Sequence, residues 1–173
     1  MERIGSRITH EGQTVRVRID EIRYEDGSTS VREIVEHPGA VAIVAHDDRL
    51  LYMVRQPREA VGEDSLFELP AGKLDVPGES PIDCAKRELV EEVGIEAGEW
   101  RELKSIYTSP GFTNEETHIF IATNLTQDEP RPSEGERIEI VKVPLDDLDE
   151  AIEACVDAKS LVGLLLFREQ RQM

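Results

Sequence analysis

The sequence predicts an α/β fold with a mixed sheet between helices, preceded by a small N-terminal β hairpin extension. Apolar and alternating segments of strand length are spread along the 173 residues, and three other segments show helical spacing instead. A chain of this length has room for one well-cored domain and a small extension. We therefore divide it into an N-terminal β extension, residues 1–37, and a main domain, residues 38–173.

The extension is predicted from two alternating segments, residues 13–24 and 28–36, that flank the turn signal Asp26-Gly27. A hairpin of this size does not bury a core of its own. In the main domain, strands are expected near residues 39–46, 49–56, 101–108, 116–124 and 138–143. Helices are expected over residues 81–93, 145–155 and 158–169.

The first helix has clear start and stop signals. Ser80 is the expected N-cap, Pro81 suits the first helical position, and Gly94 stands where a helix usually ends. At about 100° per residue, one apolar stripe and one acidic stripe lie side by side on this helix. The apolar stripe is Ile82, Ala85, Leu89 and Val93, and the acidic one is Glu88, Glu91 and Glu92.

The acidic stripe predicts a divalent metal site. Glu88 lies three residues before Glu91 and four before Glu92, so like charges are neighbours and destabilise the helix unless a cation binds. Several carboxylate oxygens suit Mg²⁺, or Mn²⁺, which keep waters and bridge to substrate phosphates. Arg87 is expected to hold the carboxylates in position through charge-assisted hydrogen bonds. The alternative is a solvated acidic helix face.

The complete spacing resembles the signature box of the Nudix hydrolases. It runs from Glu79 through seven residues to Arg87-Glu88-Leu89, then Glu91-Glu92, and one residue later Gly94-Ile95. The resemblance implies a Nudix-type α/β/α sandwich with a mixed sheet, in which a loop-helix-loop binds metal. One departure is visible, because six residues separate Gly72 from Glu79 where the usual pattern has five.

Further segments resemble the ADP-ribose pyrophosphatase branch of that family. They are Val-Arg-Gln-Pro-Arg at 54–58, Phe-Glu-Leu-Pro-Ala-Gly at 67–72, Ser-Pro-Gly-Phe-Thr-Asn-Glu at 109–115, and Glu-His-Pro-Gly-Ala-Val at 36–41. Pro110 stands 16 residues after Gly94, a spacing associated with this branch. The resemblance therefore extends over most of the chain.

The resemblance also implies roles for individual residues. Glu88 and Glu92 are the primary metal ligands, Glu91 shares a second ion, and the Ala71 carbonyl is the backbone ligand. Glu136 completes the metal or catalytic site, with Glu134 as the nearby alternative and a surface loop as the other interpretation. Catalysis is expected from Glu136, Glu134 and Arg87, and substrate binding from Arg58, Arg55, Glu68, Gly111 and Phe112.

Physical chemistry gives some of these residues a second interpretation. The planar fork of Arg58 suits a pair of phosphate oxygens, whereas Arg55 is equally well explained as a surface arginine. Pro110-Gly111 is typical of a turn that lets backbone approach a ligand, and a plain hairpin turn has the same sequence. An aromatic residue beside a strand, such as Phe112, more often packs in a core.

The expected reaction is hydrolysis of the pyrophosphate bond of ADP-ribose to AMP and ribose 5-phosphate. A metal-activated water attacks phosphorus while a glutamate accepts its proton. The alternatives are a hydrolase of another nucleoside diphosphate sugar or dinucleotide, and a non-catalytic ADP-ribose sensor. Tyr24 is the only aromatic residue before Tyr52, which keeps the second possibility open. The resemblance also predicts a homodimer that exchanges the N-terminal segment, against a hairpin packed on its own domain.

Composition agrees with a cytoplasmic enzyme that acts on small molecules. A net charge of −17 opposes binding to nucleic acid or an anionic membrane. No long apolar span or signal sequence stands out. The two cysteines, Cys84 and Cys155, do not predict a disulfide framework or a metal site. The four histidines also lack ligand spacing, which leaves carboxylates as the predicted metal ligands.

Overall fold

The computed structural model describes residues 1–12, 15–130 and 137–172. The chain divides into two compact units. The first unit contains residues 1–39 together with residues 107–116, and the second contains residues 40–106 with 117–173. In the described part of the chain, no helix is both long and apolar enough to cross a membrane.

The first unit contains a sheet in the order β1-β2-β3, formed by β1 (Glu2–Glu11), β2 (Arg16–Arg23) and β3 (Thr29–Glu36). Both pairings are antiparallel. The predicted hairpin is confirmed as β2 and β3, with Gly27 in the left-handed region at φ 81° and Asp26 accepting a hydrogen bond from the Ser28 amide. The strand β1 was not predicted, because its residues are almost all polar and exposed.

The main sheet is mixed, as predicted. Its strands are β4 (Ala40–His46), β5 (Leu50–Arg58), β6 (Glu63–Glu68), β7 (Ala71–Lys73), β8 (Ile95–Tyr107), β9 (Glu116–Gln127) and β10 (Glu139–Pro144). The order is β10-β5-β4-β9-β8, with β6 beside β5 and β7 beside β4. The pair β4–β9 is parallel, whereas β4–β5 and β5–β10 are antiparallel.

Helices cover both faces of this sheet. They are α1 (Pro81–Val93), α2 (Leu148–Ala154), which follows a 3₁₀ turn at Leu145–Asp147, and α3 (Ala158–Arg171). On one face Val41 and Ile43 of β4 belong to a core with Leu89 of α1. On the other face Val44 shares a core with Leu164 of α3. The predicted α/β/α sandwich is therefore confirmed within this unit.

Both ends of α1 are fixed. The Ser80 hydroxyl accepts a hydrogen bond from the Asp83 amide at 3.3 Å, as expected of an N-cap. Gly94 ends the helix at φ 66°, which favours glycine, and a Cβ there would lie 2.5 Å from Pro130. The Gly94 carbonyl accepts a hydrogen bond from the Asp128 amide at 2.7 Å. These contacts fix the position of the acidic stripe along the sheet.

Candidate functional site

Arg87 lies among three of the predicted acidic residues. Its Nε and Nη2 atoms donate to the two carboxylate oxygens of Glu79, both at 2.9 Å, in a bidentate pair. Its Nη1 atom donates to Glu88 Oε1 at 2.7 Å and to Glu91 Oε2 at 3.1 Å. Sequence spacing predicted that Arg87 would hold the carboxylates, and these contacts agree with that prediction.

The cluster is only partly accessible to solvent. The side chains of Glu79 and Glu88 are 13% exposed, whereas those of Arg87 and Glu91 are 28% and 30% exposed. The hydrogen bonds with Glu79 raise the pKa of Arg87, and those same bonds lower the pKa of Glu79. Arg87 is therefore a permanent cation and Glu79 a carboxylate at neutral pH.

Glu92 connects α1 to the first residue of β7. It is 5% exposed, and its Oε2 atom accepts a hydrogen bond from the Ala71 amide at 3.0 Å. The next residue, Gly72, lies against Glu88 so closely that a Cβ there would overlap the Glu88 carboxyl group. Glycine is therefore required at this position because the backbone approaches the acidic cluster.

These residues fit a hard divalent cation. Three carboxylates contact the Arg87 guanidinium, and that of Glu92 lies on the same helix as two of them. Carboxylate and carbonyl oxygens are the ligands that Mg²⁺ and Mn²⁺ prefer. Within the three described ranges, no group of three His, Cys, Asp or Glu side chains already converges in a metal-binding arrangement. Arg87 instead bridges Glu79, Glu88 and Glu91, and we expect these carboxylates to reorient when an ion binds.

A second cluster surrounds Glu68, which ends β6 and is fully buried. Arg58 donates to its two oxygens at 2.6 and 2.7 Å, and Lys159 Nζ lies 2.8 Å from Oε2. Burial alone would raise the pKa of Glu68, but the hydrogen bonds from Arg58 and the charge of Lys159 lower it. Glu68 is therefore ionised, and its predicted contact with substrate stays a prediction.

The second cluster extends into the first turn of α3. Asp157 is the N-cap of this helix, and its Oδ2 atom accepts hydrogen bonds from the Ser160 amide at 3.1 Å and from Lys159 Nζ at 2.8 Å. The Ser160 hydroxyl donates to the same oxygen at 2.6 Å and accepts from the Leu69 amide at 2.7 Å. The helix end is thus joined to the residue that follows Glu68.

The pairing of Arg58 with Glu68 limits how Arg58 can contact a phosphate. Its fork is occupied by Glu68, which raises the pKa of the guanidinium through their hydrogen bonds, yet the side chain remains 40% exposed. Arg55 lies with its guanidinium carbon 4.9 Å from the centre of the Phe67 ring and donates to the Ser65 carbonyl at 3.3 Å. Both arginines lie on β5, and their roles toward substrate stay predictions.

The remaining predicted residues belong to the first unit or lie outside the described chain. Gly111 and Phe112 belong to the first unit, where the Phe112 carbonyl accepts a hydrogen bond from the Val35 amide at 2.7 Å. Phe112 is 54% exposed, so it is not a core residue as the alternative interpretation supposed. Glu134 and Glu136 lie outside the described residues.

Sequence reasoning missed Asp157, Lys159 and Ser160. Asp157 precedes a helix and carries a capping signal, but a cap does not reveal its tertiary neighbours. The contacts from Lys159 to Glu68 and from Ser160 to Leu69 each span 91 positions of the sequence. They are therefore visible only in the folded chain.

Comparison with known families and proteins gives concordant matches. The family model described as NUDIX domain matches residues 35–162. An ADP-ribose pyrophosphatase of Mycobacterium tuberculosis is 46% identical over 127 residues, covering 73% of this chain and 61% of that protein. The match therefore spans less than two thirds of that relative's length.

Two relatives match over most of both chains. An ADP-ribose pyrophosphatase of Bacillus subtilis is 38% identical over 88% of this chain and 84% of its own length. A methanol dehydrogenase activator of Bacillus methanolicus is 36% identical over 94% of this chain and 89% of its own.

Among solved structures, a crystal structure of an ADP compounds hydrolase matches with a TM-score of 0.86 and 25% identity. It covers 99% of this chain and 94% of that one. The predicted fold class is confirmed by this similarity.

Proposed function

The chain belongs to the NUDIX domain family, and we propose that it hydrolyses the pyrophosphate bond of ADP-ribose to give AMP and ribose 5-phosphate. The observation that carries this proposal is the contact of Arg87 with Glu79, Glu88 and Glu91, beside which the Ala71 amide holds Glu92. The proposed substrate is supported by the relatives that are named ADP-ribose pyrophosphatases.

The reaction needs a divalent cation, for which we propose Mg²⁺, with Mn²⁺ as the alternative. We assign the ion or ions to Glu88, Glu91 and Glu92, with the Ala71 carbonyl and Glu136 as further ligands. When bound, the metal neutralises the diphosphate and lowers the pKa of the attacking water. The identity of the ion is a proposal based on the oxygen donors of this site.

The protein's own residues orient the acidic cluster. Arg87 holds Glu79 by two hydrogen bonds and draws Glu88 and Glu91 toward the same side of α1. The Ala71 amide fixes Glu92, and Gly72 leaves room for Glu88. These contacts reduce the reorganisation that precedes reaction, which is a main source of enzymatic rate enhancement.

A glutamate outside α1 is proposed to accept the proton of the attacking water. We assign this role to Glu136, with Glu134 as the alternative. Arg58, Arg55, Glu68, Gly111 and Phe112 are proposed to contact substrate. Arg58 already pairs with Glu68, so its exposed portion is the part available to a phosphate oxygen.

One of the two alternative functions has specific support. Hydrolysis of another nucleoside diphosphate sugar is favoured by a GDP-mannose pyrophosphatase of Citrobacter koseri that is 34% identical over 126 residues. A non-catalytic ADP-ribose sensor is ranked last, because this chain retains every acidic residue of the helix motif. One relative is named a methanol dehydrogenase activator, so not every protein similar to this chain is named for hydrolysis.

We further propose that the enzyme is a cytoplasmic homodimer that uses its N-terminal extension for dimerisation. The extension, residues 1–37, forms part of a separate compact unit with few buried residues, as expected of a segment stabilised by a partner. The net charge of −17 disfavours nucleic acid and anionic membranes as partners. Sedimentation at several protein concentrations tests the dimer.

Substrate preference is tested by measuring hydrolysis of ADP-ribose, other nucleoside diphosphate sugars and NADH with Mg²⁺, with products separated by chromatography. We expect AMP release mainly from ADP-ribose, and loss of turnover after EDTA treatment. The recovery of ADP-ribose hydrolysis is then compared after addition of Mg²⁺ and after addition of Mn²⁺.

Preference for another substrate would contradict the proposed specificity and retain the proposed mechanism. Turnover that persists in EDTA would contradict the metal requirement. If no compound is hydrolysed while ADP-ribose still binds, the protein is a sensor.

A further inference from the structure

The chain from the last residue of β6 to the second residue of β7 contacts a different element at almost every position. We call these residues, 68–72, the entry segment. Glu68 is bound by Arg58 of β5 and Lys159 of α3. Further along, the Pro70 carbonyl accepts a hydrogen bond from the Ile43 amide of β4 at 2.9 Å. The segment is therefore held along its length before it reaches the acidic cluster of α1.

The end of the entry segment forms one wall of that cluster. The Ala71 amide donates to Glu92, and the Gly72 backbone lies directly against Glu88. A shift of the segment would therefore change the orientation of two proposed metal ligands. Misplacement of a catalytic group by about 1 Å can lower a rate by about 100-fold.

The start of α3 contacts Leu69 in two ways. The Ser160 hydroxyl accepts a hydrogen bond from the Leu69 amide at 2.7 Å. One turn later, Gly163 packs against the Leu69 side chain, and a Cβ at Gly163 would lie 2.6 Å from Leu69 Cδ1. Leu69 and Ser160 are both fully buried. Ala71 lies two positions after Leu69, a distance of at most about 7 Å along an extended chain.

Asp157 sets the direction of the Ser160 hydroxyl. Because the hydroxyl proton is donated to Asp157 Oδ2 at 2.6 Å, the oxygen lone pairs are left to accept from Leu69. The same carboxylate oxygen receives the Ser160 amide and Lys159. The Asp157 oxygen that orients the Ser160 hydroxyl is therefore itself held by three donors.

We propose that Ser160, oriented by Asp157, is a positioning residue for the reaction at the acidic cluster. It fixes Leu69, and through the entry segment it sets the position of the Ala71 amide that holds Glu92. This inference rests on the proposed pyrophosphatase function. Neither residue contacts the acidic cluster directly, so their effect passes through residues 69–71.

The test compares Ser160→Ala with Ser160→Thr and with the control Thr117→Val. The threonine variant retains the hydroxyl. Thr117 is a matched control because its hydroxyl is also fully buried, in the second unit, but has no hydrogen-bond partner within the described chain. We measure kcat and KM for ADP-ribose at saturating Mg²⁺, and amide hydrogen exchange of Ala71 without metal.

For Ser160→Ala we expect kcat to fall on the order of 10-fold or more, with KM changed less than about two-fold. Hydrogen exchange of the Ala71 amide should become faster even without metal, because loss of the contact between Ser160 and Leu69 weakens the hydrogen bond from Ala71 to Glu92. Ser160→Thr should recover most of kcat, and Thr117→Val should match the wild type in both measurements.

An unchanged kcat in folded Ser160→Ala would overturn the inference, as would unchanged Ala71 exchange. If this variant does not unfold cooperatively, Asp157→Asn decides the question, because asparagine preserves the N-cap while weakening the contact with the hydroxyl. A wild-type kcat in Asp157→Asn would then overturn it. Inactivity of the wild-type protein itself would instead contradict the proposed function, and the exchange measurement would still test the structural link.

Discussion

The two charged clusters of the second unit differ in how their charges are balanced. In the acidic cluster at α1, the ion pairs of the described residues join three carboxylates, those of Glu79, Glu88 and Glu91, to one cation, Arg87. At the start of α3, by contrast, two carboxylates, Glu68 and Asp157, are accompanied by two cations, Arg58 and Lys159. Among the described ion pairs, carboxylates therefore outnumber cations in the first cluster and equal them in the second.

Burial reinforces this difference. Glu68 is fully buried, and a carboxylate in that environment is stable only with paired charges and hydrogen bonds. In the acidic cluster, Glu91 and Arg87 keep about 30% of their exposure, so an ion and a substrate have access. The excess of carboxylates over paired cations in the described acidic cluster therefore supports the proposed metal site there, whereas the balanced and buried second cluster is expected to be structural.

The largest expected effect is a loss of stability when the buried carboxylate of the second cluster is removed. Glu68→Gln leaves Arg58 and Lys159 without their shared anion, and breaking a buried ion pair costs about 3–5 kcal/mol. Urea unfolding at pH 7 should show this loss in the free energy of unfolding. The exposed control Glu153→Gln should change it by less than about 0.5 kcal/mol. A wild-type midpoint for Glu68→Gln would show that the cluster does not stabilise the fold.

The next effect concerns activity at the acidic cluster. Glu92→Gln removes a proposed metal ligand and should lower kcat at least about 100-fold, which corresponds to about 2.7 kcal/mol. The glutamine oxygen can still accept from the Ala71 amide, so the thermal midpoint in EDTA should change little. Exposed Glu96, on β8, provides the control Glu96→Gln. Unchanged turnover in Glu92→Gln would refute the role assigned to Glu92.

The smallest predicted effect is a change in the dependence of stability on pH. The charges and hydrogen bonds of the second cluster outweigh burial and lower the pKa values of Glu68 and Asp157. A lowered pKa stabilises the fold above the unfolded-state pKa, and this stabilisation is lost as pH falls below about 4.5. Because Glu68→Gln removes one of these carboxylates, its free energy of unfolding should decline less between pH 6 and pH 3.5. Parallel declines in the two proteins would contradict this assignment.

The helix that carries the acidic cluster could be predicted from local signals alone. Ser80, Pro81 and Gly94 mark its ends, and the observed helix has the predicted bounds. Such signals act within a few residues, so they can be recognised in the sequence. The motif spacing also identified Arg87 as the residue among the carboxylates, because residues three and four apart share one helix face.

Elements that depend on distant contacts were missed. The three-residue strand β7 forms because it pairs with β4, and β6 forms because it pairs with β5. The predicted helix over residues 145–155 is interrupted, since its first three residues form a 3₁₀ turn. In the same way, the charged neighbours of Glu68 on α3 depend on tertiary packing that no local pattern encodes.

The firm anchoring of α1 at both ends has a consequence for how this protein can change. Ser80 caps the helix at one end, and Gly94 packs against Pro130 at the other. The preceding loop contains exposed Val76 and Gly78, whose Cβ position faces open space. Evolution can therefore lengthen this loop without displacing the acidic residues, as the extra residue before Glu79 illustrates. The same loop is a suitable insertion point for a reporter peptide that leaves the chemistry undisturbed.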